Sequence, residues 1–221
     1  MLAYPLKIEK LRTQPMLAIA VLATYVGTFG LTPDAKMLVD AMKRKFAALQ
    51  DYSCHMYTTS FKKGRLKLDA HRYYFKKPAL IRLEVTDGSD KGAVAILTAR
   101  GKVRAKAGGI LGLFTVTMDP DDRRLRDKDG SRFVDSHLGG TIGDIERAVF
   151  EGESQVSEVQ SSRRLYRLEI TRPGKLDIIL IDAELLLPVE WQSIRQGQID
   201  SKVEWRNLKV NVGLQDSLFD M

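Results

Sequence analysis

The sequence predicts an α+β domain: a long, curled antiparallel sheet with two or three helices against one face. Three observations predict it. Short runs of alternating apolar and polar residues recur along the body, separated by turns containing Gly, Pro and Asp. Only two stretches of the body, 32–50 and 141–153, show helical periodicity. No Pro/Gly/Ser-rich linker divides the 221 residues, which suits one domain. Short antiparallel strands joined by tight turns form meanders, and a sheet of many strands curls.

The chain opens with Lys7, Lys10 and Arg12 ahead of an apolar run from Met16 to Leu31. That run is short for a spanning helix, which takes roughly 17–25 residues. A basic start followed by an apolar stretch reads as an export signal. Thr28-Phe29-Gly30 offers small residues for cleavage after Gly30, with an uncleaved anchor as the alternative. Residues 1–30 are thus a signal peptide or membrane anchor, 31–221 a single domain, and the body is exported to the periplasm or cell envelope.

The body begins with a helix ending near Gln50. Thr32 is read as its N-cap, Pro33 suits its first turn, and Leu38, Met42, Phe46 and Leu49 share one face. Strands follow at 52–61 and 66–75, the second with Leu66, Leu68, Ala70 and Tyr74 on one side. In "ALIRLEV" (79–85), Ile81, Leu83 and Val85 take one face, and Leu80, Arg82 and Glu84 the other. A hairpin turning at Arg100-Gly101, a strand into the acidic stretch "DPDDRRLRDKDGSR", and the second helix come next. Gly139, Gly140 and Gly143 read as an entry loop with Thr141 as cap, and Ile142, Ile145, Val149 and Phe150 as the buried stripe. Strands at 163–172, 176–183, 187–195 and 200–212 complete the chain.

Net charge is +7; without the first fifteen residues there remain 32 bases and 27 acids, net +5, largely interleaved. A nucleic-acid groove needs clustered bases with stacking aromatics. Only "HRYYFKK" (71–77) approaches that, and alternation sends Tyr73 and Tyr74 to opposite faces, so no nucleic-acid partner is expected. The single cysteine, Cys54, excludes an intrachain disulfide and a cysteine zinc cluster. Cys54 and His55 point to opposite sides of a strand, so they form no nucleophile–base pair. His71 and His137 lack metal-motif spacing, and counting back from Gly130 the acidic turn misses the calcium pattern at Leu125 and Ser136. No catalytic residue, metal or cofactor is expected.

The order of elements resembles the LolA-type lipoprotein-carrier superfamily, over roughly residues 34–221. The carrying stretches are "FAALQDYSC" leading into a first strand, the "YYFKKPALIRLEV" corner, the "AVAILTARGKVRA" hairpin, "IILIDAELLLPVEW", and the closing "VEWRNLKVNVGLQDSLFDM". The stretch from Lys91 to Arg124 is most similar to a poorly characterised branch with no activity to transfer. The resemblance implies a half-open β-barrel with helices covering an apolar concave face that holds acyl chains. It implies a cavity walled by Leu68, Tyr74, Ile81, Leu83 and Val85 from strands and by Leu38, Met42 and Phe46 from the first helix. It places the Lys76-Lys77-Pro78 corner at a solvated rim, with Pro78 discouraging edge pairing, and makes Arg82 the nearest match to a strand arginine tied to the lid. The expected partners are a lipid or acylated lipoprotein and membrane-associated proteins, the protein itself being a monomer. The alternative is a structural or sensory envelope domain of the same fold with a filled core; a lipid hydrolase is the poorest reading.

Overall fold

The computed structural model of the protein describes residues 32–62, 65–109, 114–126 and 130–220. The segment read as a leader or anchor lies outside these residues. No helix among the described residues is long and apolar enough to cross a membrane.

Helix α1 (Ala35–Ala48) buries Leu38, Val39 and Met42. Its N-cap is Asp34, whose carboxylate accepts from the Met37 amide at 2.8 Å, rather than Thr32. A cap must stand immediately before the first helical residue for its side chain to reach that amide. Strands β1 (Asp51–Lys62), β2 (Arg65–Lys76), β3 (Leu80–Asp87), β4 (Val94–Leu97), β5 (Val103–Lys106) and β6 (Thr115–Met118) follow as one meander. Helix α2 (Leu138–Glu151) separates it from a second: β7 (Glu153–Gln160), β8 (Arg164–Arg172), β9 (Lys175–Asp182), β10 (Leu187–Arg195) and β11 (Gln198–Val210).

Among the described residues these eleven strands form one antiparallel sheet in the order β6-β5-β4-β3-β2-β1-β11-β10-β9-β8-β7. Pairing of β1 with β11 joins the two meanders. The edges β6 and β7 do not meet, so the sheet is not closed. Val103 and Met118 near one edge, and Leu168 and Ile170 near the other, share one buried cluster with Leu38, Met42, Ile142 and Ile145 of the helices. Both ends reach the same helices because the sheet curls. The result is a half-open barrel with α1 and α2 on its concave side.

Helix α2 departs from expectation in three ways. It starts at Leu138, with His137 as N-cap through Nδ1 and the Gly140 amide at 3.1 Å; Thr141 lies inside it. Gly139 and Gly140 are therefore helical, not an entry loop. They are small because the chain passes close: a Cβ on Gly139 would stand 2.4 Å from the Phe46 ring, and one on Gly140 2.0 Å from the Asp135 carbonyl oxygen. Phe150 is 88% exposed, while Leu138 and Ala148 complete the buried stripe of Ile142, Ile145 and Val149. Strand β7 was not expected. It is an edge strand, exposed at most positions, and so shows no strong alternation.

The convex face carries a second, smaller cluster. Leu80, Ile96 and Phe219 are buried there, with Tyr74, Leu214 and Leu218 packed against them. Asp51 holds the returning C-terminal segment. Its carboxylate, 3% exposed, accepts from the amides of Val212, Gly213 and Leu214 at 2.7, 3.0 and 3.1 Å. Lys76 Nζ donates to the Leu214 carbonyl and Asp216, and Arg82 Nη1 to the Leu218 carbonyl at 3.0 Å. Lys77 Nζ donates to the carbonyls of Phe46 and Ala47, closing the negative end of α1. The Lys-Lys-Pro corner is thus a fastening of helix and C-terminus. Pro78 sits in the turn between two interior strands and guards no edge, and Arg82 serves the C-terminal segment on the convex face rather than α1 or α2.

Candidate functional site

The concave face is not filled throughout. Beside the N-terminal half of α2 lies an open cleft of about 1010 Å³. Its floor consists of Met56 on β1, Leu83 on β3, Trp191 on β10, and Val203 and Trp205 on β11. Strand pairing explains their convergence: Met56 stands opposite Trp205, Thr58 opposite Val203, and Val203 opposite Trp191. Residues opposite one another across a sheet share a face. The two tryptophans each end the same tripeptide, Val-Glu-Trp, at 189–191 and 203–205. They are the chain's only tryptophans.

One wall is polar and internally neutralised. Arg124 reaches Asp122 at 2.6 Å, Arg132 reaches Asp135 at 2.7 Å and Asp121 at 3.0 Å, and Arg147 reaches Asp144 at 3.2 Å. The Arg124 hydrogen bonds bring the Asp122 carboxyl down to about 2. Leu125 and Phe133 present apolar surface between these pairs. An apolar floor under a charged but balanced rim suits an amphipathic guest. Its volume lies at the upper end of the range for small-molecule sites.

The wall is hung from the sheet by phenols. The Leu138 amide donates to the Tyr52 hydroxyl at 2.9 Å, and the Tyr73 hydroxyl lies 3.0 Å from Ser136 Oγ. Burial raises both phenols well above their ordinary pKa, so they remain neutral struts. His137 lies parallel to the Phe46 ring, 5.6 Å between centroids, and 4.9 Å from Phe75. Burial lowers its pKa, against the opposing charge of Asp135. The neutral imidazole is the form able to accept the Gly140 amide. Cys54 is buried and its thiol is pushed up to about 12 by desolvation, which makes it unreactive as a thiolate. His55, on the other face, is exposed. Among the described residues no three His, Cys, Asp or Glu side chains converge as a metal site.

Strand β9 contributes a buried anion at the far end of the concave face. Asp177, fully buried, accepts from Arg172 at 2.6 Å, Trp191 Nε1 at 2.9 Å and Ser193 Oγ at 2.5 Å. Burial opposes its charge, but these hydrogen bonds and Lys175 outweigh burial and hold the carboxyl below its ordinary pKa. The bond to Trp191 fixes the indole that forms part of the cleft floor.

Of the eight residues expected in a cavity, Leu83 alone lines this cleft. Leu38, Met42 and Ile81 are packed core, and Phe46 packs partly buried against it. Val85 shares the concave face with Leu83 without lining the cleft. Leu68 and Tyr74 are on the convex face, which corrects the expectation. Tyr73 and Phe75 point inward, so Tyr74 and Leu68 point outward; Leu68 is 60% exposed and Tyr74 covers Phe219. Met56, Trp191, Val203 and Trp205 were missed. The repeated Val-Glu-Trp was the signal for all of them but Met56.

No protein-family model matches the chain, and no curated protein matches it by sequence. Solved structures share its fold. MucB, in the MucA/MucB complex of Pseudomonas aeruginosa, aligns with a TM-score of 0.53 at 13% identity, over 86% of this chain and 61% of that one. A LolA superfamily protein from Nitrosomonas europaea aligns at 0.41 and 9%, over 85% and 97%. A putative outer membrane lipoprotein-sorting protein domain from Vibrio parahaemolyticus aligns at 0.39 and 9%, over 85% and 97%. The chain spans about three fifths of the MucB chain. The likeness to MucB is one of fold.

Proposed function

We propose that this protein is an exported, non-enzymatic envelope protein that holds the acyl chain of a lipid or lipoprotein in its concave cleft. The observation that supports this most is the open floor of Met56, Leu83, Trp191, Val203 and Trp205 beneath α2. Each buried methylene contributes about 0.8 kcal/mol. A long chain on that floor thus gains on the order of ten kcal/mol before the entropic costs of binding. No catalytic group is required. The fold shared with lipoprotein-sorting proteins agrees with such a guest, which an envelope carrier of this kind takes up and passes on as a monomer.

A second reading is favoured by one observation. MucB, the likeness with the higher TM-score, was solved in complex with MucA. A partner protein seated on the sheet would make this chain a sensory or structural envelope domain. The two readings separate in one experiment. Both tryptophans line the cleft, so energy transfer from tryptophan to a fluorescent fatty acid reports occupancy directly. Saturable transfer, together with co-bound lipid in native mass spectra of protein purified from membranes, is expected. No saturable transfer from any acyl probe would leave the interaction domain as the better reading.

A further inference from the structure

On the convex face, opposite the cleft, the pairing of β1 with β11 is interrupted. The register passes from Ser53–Lys209 to His55–Arg206, leaving Asn207 and Leu208 against Cys54 alone. Asn207 takes φ 54°, a left-handed conformation that asparagine tolerates better than most residues. This bulge opens a depression of about 480 Å³ between the strands, lined by Ser53, His55, Arg72, Tyr74, Asn207 and Lys209 together with Cys54 and Leu208 of the bulge itself. Six of these eight side chains are nitrogen or oxygen donors of hydrogen bonds, and among the described residues no carboxylate lines the depression.

Basic side chains gather around this depression. His55 stands directly opposite Arg72 on β2 and Arg206 on β11. Ser53, two residues away on the same face, stands opposite Tyr74 and Lys209. Like charges gathered on one face of a sheet repel one another unless something neutralises them. Elsewhere the protein does neutralise such a pair: Glu190 and Glu204 face each other across β10 and β11, and Lys202 bridges both at 3.1 and 2.9 Å. Here Arg206 is bound to Glu204 at 2.8 Å and lies over the Tyr57 ring. Among the described residues Arg72 has one ion-pair partner, Glu84, which stands opposite it on β3 at 3.9 Å and is also held by Arg82 at 2.6 Å. Lys209 has no ion pair among the described residues. Two cations and an imidazole thus line one depression, and among the described residues no carboxylate lines it with them.

We propose that this convex pocket binds a phosphoryl oxyanion, either free phosphate or the phosphate of an anionic lipid headgroup. Arg72 supplies a planar fork, Lys209 a point charge, and the hydroxyls and amide complete a donor set suited to tetrahedral oxygens. The site lies on the opposite face from the cleft and does not depend on the acyl-chain reading.

The test uses the folded protein with inorganic phosphate, followed by NMR at the histidine rings. His55 signals are expected to shift saturably while those of His71 and His137 stay fixed. In the Arg72→Gln/Lys209→Gln double variant the affinity should fall by about tenfold or more, since two charge-assisted contacts are lost. Both side chains are exposed, so the variant is expected to keep its fold by circular dichroism, and each single variant should show an intermediate loss. Sedimentation with phosphatidylglycerol vesicles, against phosphatidylcholine vesicles, separates the sources. Vesicle binding lost in the double variant identifies a headgroup phosphate; phosphate binding without vesicle binding identifies the free ion. If phosphate leaves His55 unmoved and vesicle binding is absent or unchanged in the variant, the proposal is overturned. Equal phosphate affinity in wild type and double variant overturns it as well.

Discussion

Ile81 and Leu83 lie two apart on β3 and point to the same face, yet one is core and the other is cleft floor. Ile81 is 0% exposed and belongs to the main cluster. Ile81→Ala removes three carbons, about 2.4 kcal/mol of transfer free energy. The void left in the main cluster adds a cavity contribution, for an expected total of roughly 3–4 kcal/mol. Leu83 is half-buried, with the cleft on one side. Leu83→Ala enlarges a space already open, so about 1–2 kcal/mol is expected. Urea unfolding followed by circular dichroism measures both, with m unchanged if the folded states remain comparable. Leu83→Glu extends the comparison to function. Its carboxylate can stay hydrated in the empty cleft but not beneath an acyl chain, so the variant should fold and no longer accept a fluorescent fatty acid. Ile81→Ala, though less stable, should still accept it. Equal losses for the two alanine variants, or a Leu83→Glu protein that does not fold, would show the cleft to be closed core. A folded Leu83→Glu protein with normal uptake would show that the guest does not rest on this floor.

Three further outcomes are expected. Asp51→Ala strands three backbone amides and frees the C-terminal segment; a loss of roughly 3–5 kcal/mol is expected, with Val212–Leu214 amides exchanging well ahead of β1, and equal protection of both would contradict the assignment. His71 and His137 both have pKa values lowered by burial, so the unfolded chain protonates first: stability should be complete above the unfolded value near 6.5 and decline as pH falls through it toward the folded values. His137→Asn keeps a cap acceptor without titrating there, and a thermal midpoint that falls as steeply between pH 7.5 and 5 in this variant would exclude His137 as a contributor. Gly139→Ala drives a methyl group into the Phe46 ring and should lower the thermal midpoint, whereas Gly143→Ala, with open space around it, should raise it slightly through helix propensity.

What was legible in the sequence was what neighbouring residues decide between themselves. The apolar face of α1, the strand–turn–strand order, and the common face of Ile81, Leu83 and Val85 follow from local periodicity. So does the separation of Cys54 from His55. The order of these elements, rather than any one motif, carried the resemblance to the LolA-type fold. Tertiary structure decided which face of a strand is inside where both faces are apolar. On β2, Tyr73 and Phe75 meet the helices while Tyr74 meets Phe219, because Asp51 and Lys76 draw the chain end back over the convex face. No local pattern contains that return. The start of α2 was hidden because its cap is a histidine supported by aromatic rings from α1 and β2. Strand β7 was hidden because an exposed edge leaves no alternation to read. The cleft itself exists only after β1 pairs with β11, which carries Trp205 and Val203 across some 150 residues to stand beside Met56 and Thr58. Pairing over that distance is set by the whole sheet, and so the site belongs to the fold rather than to any stretch of sequence.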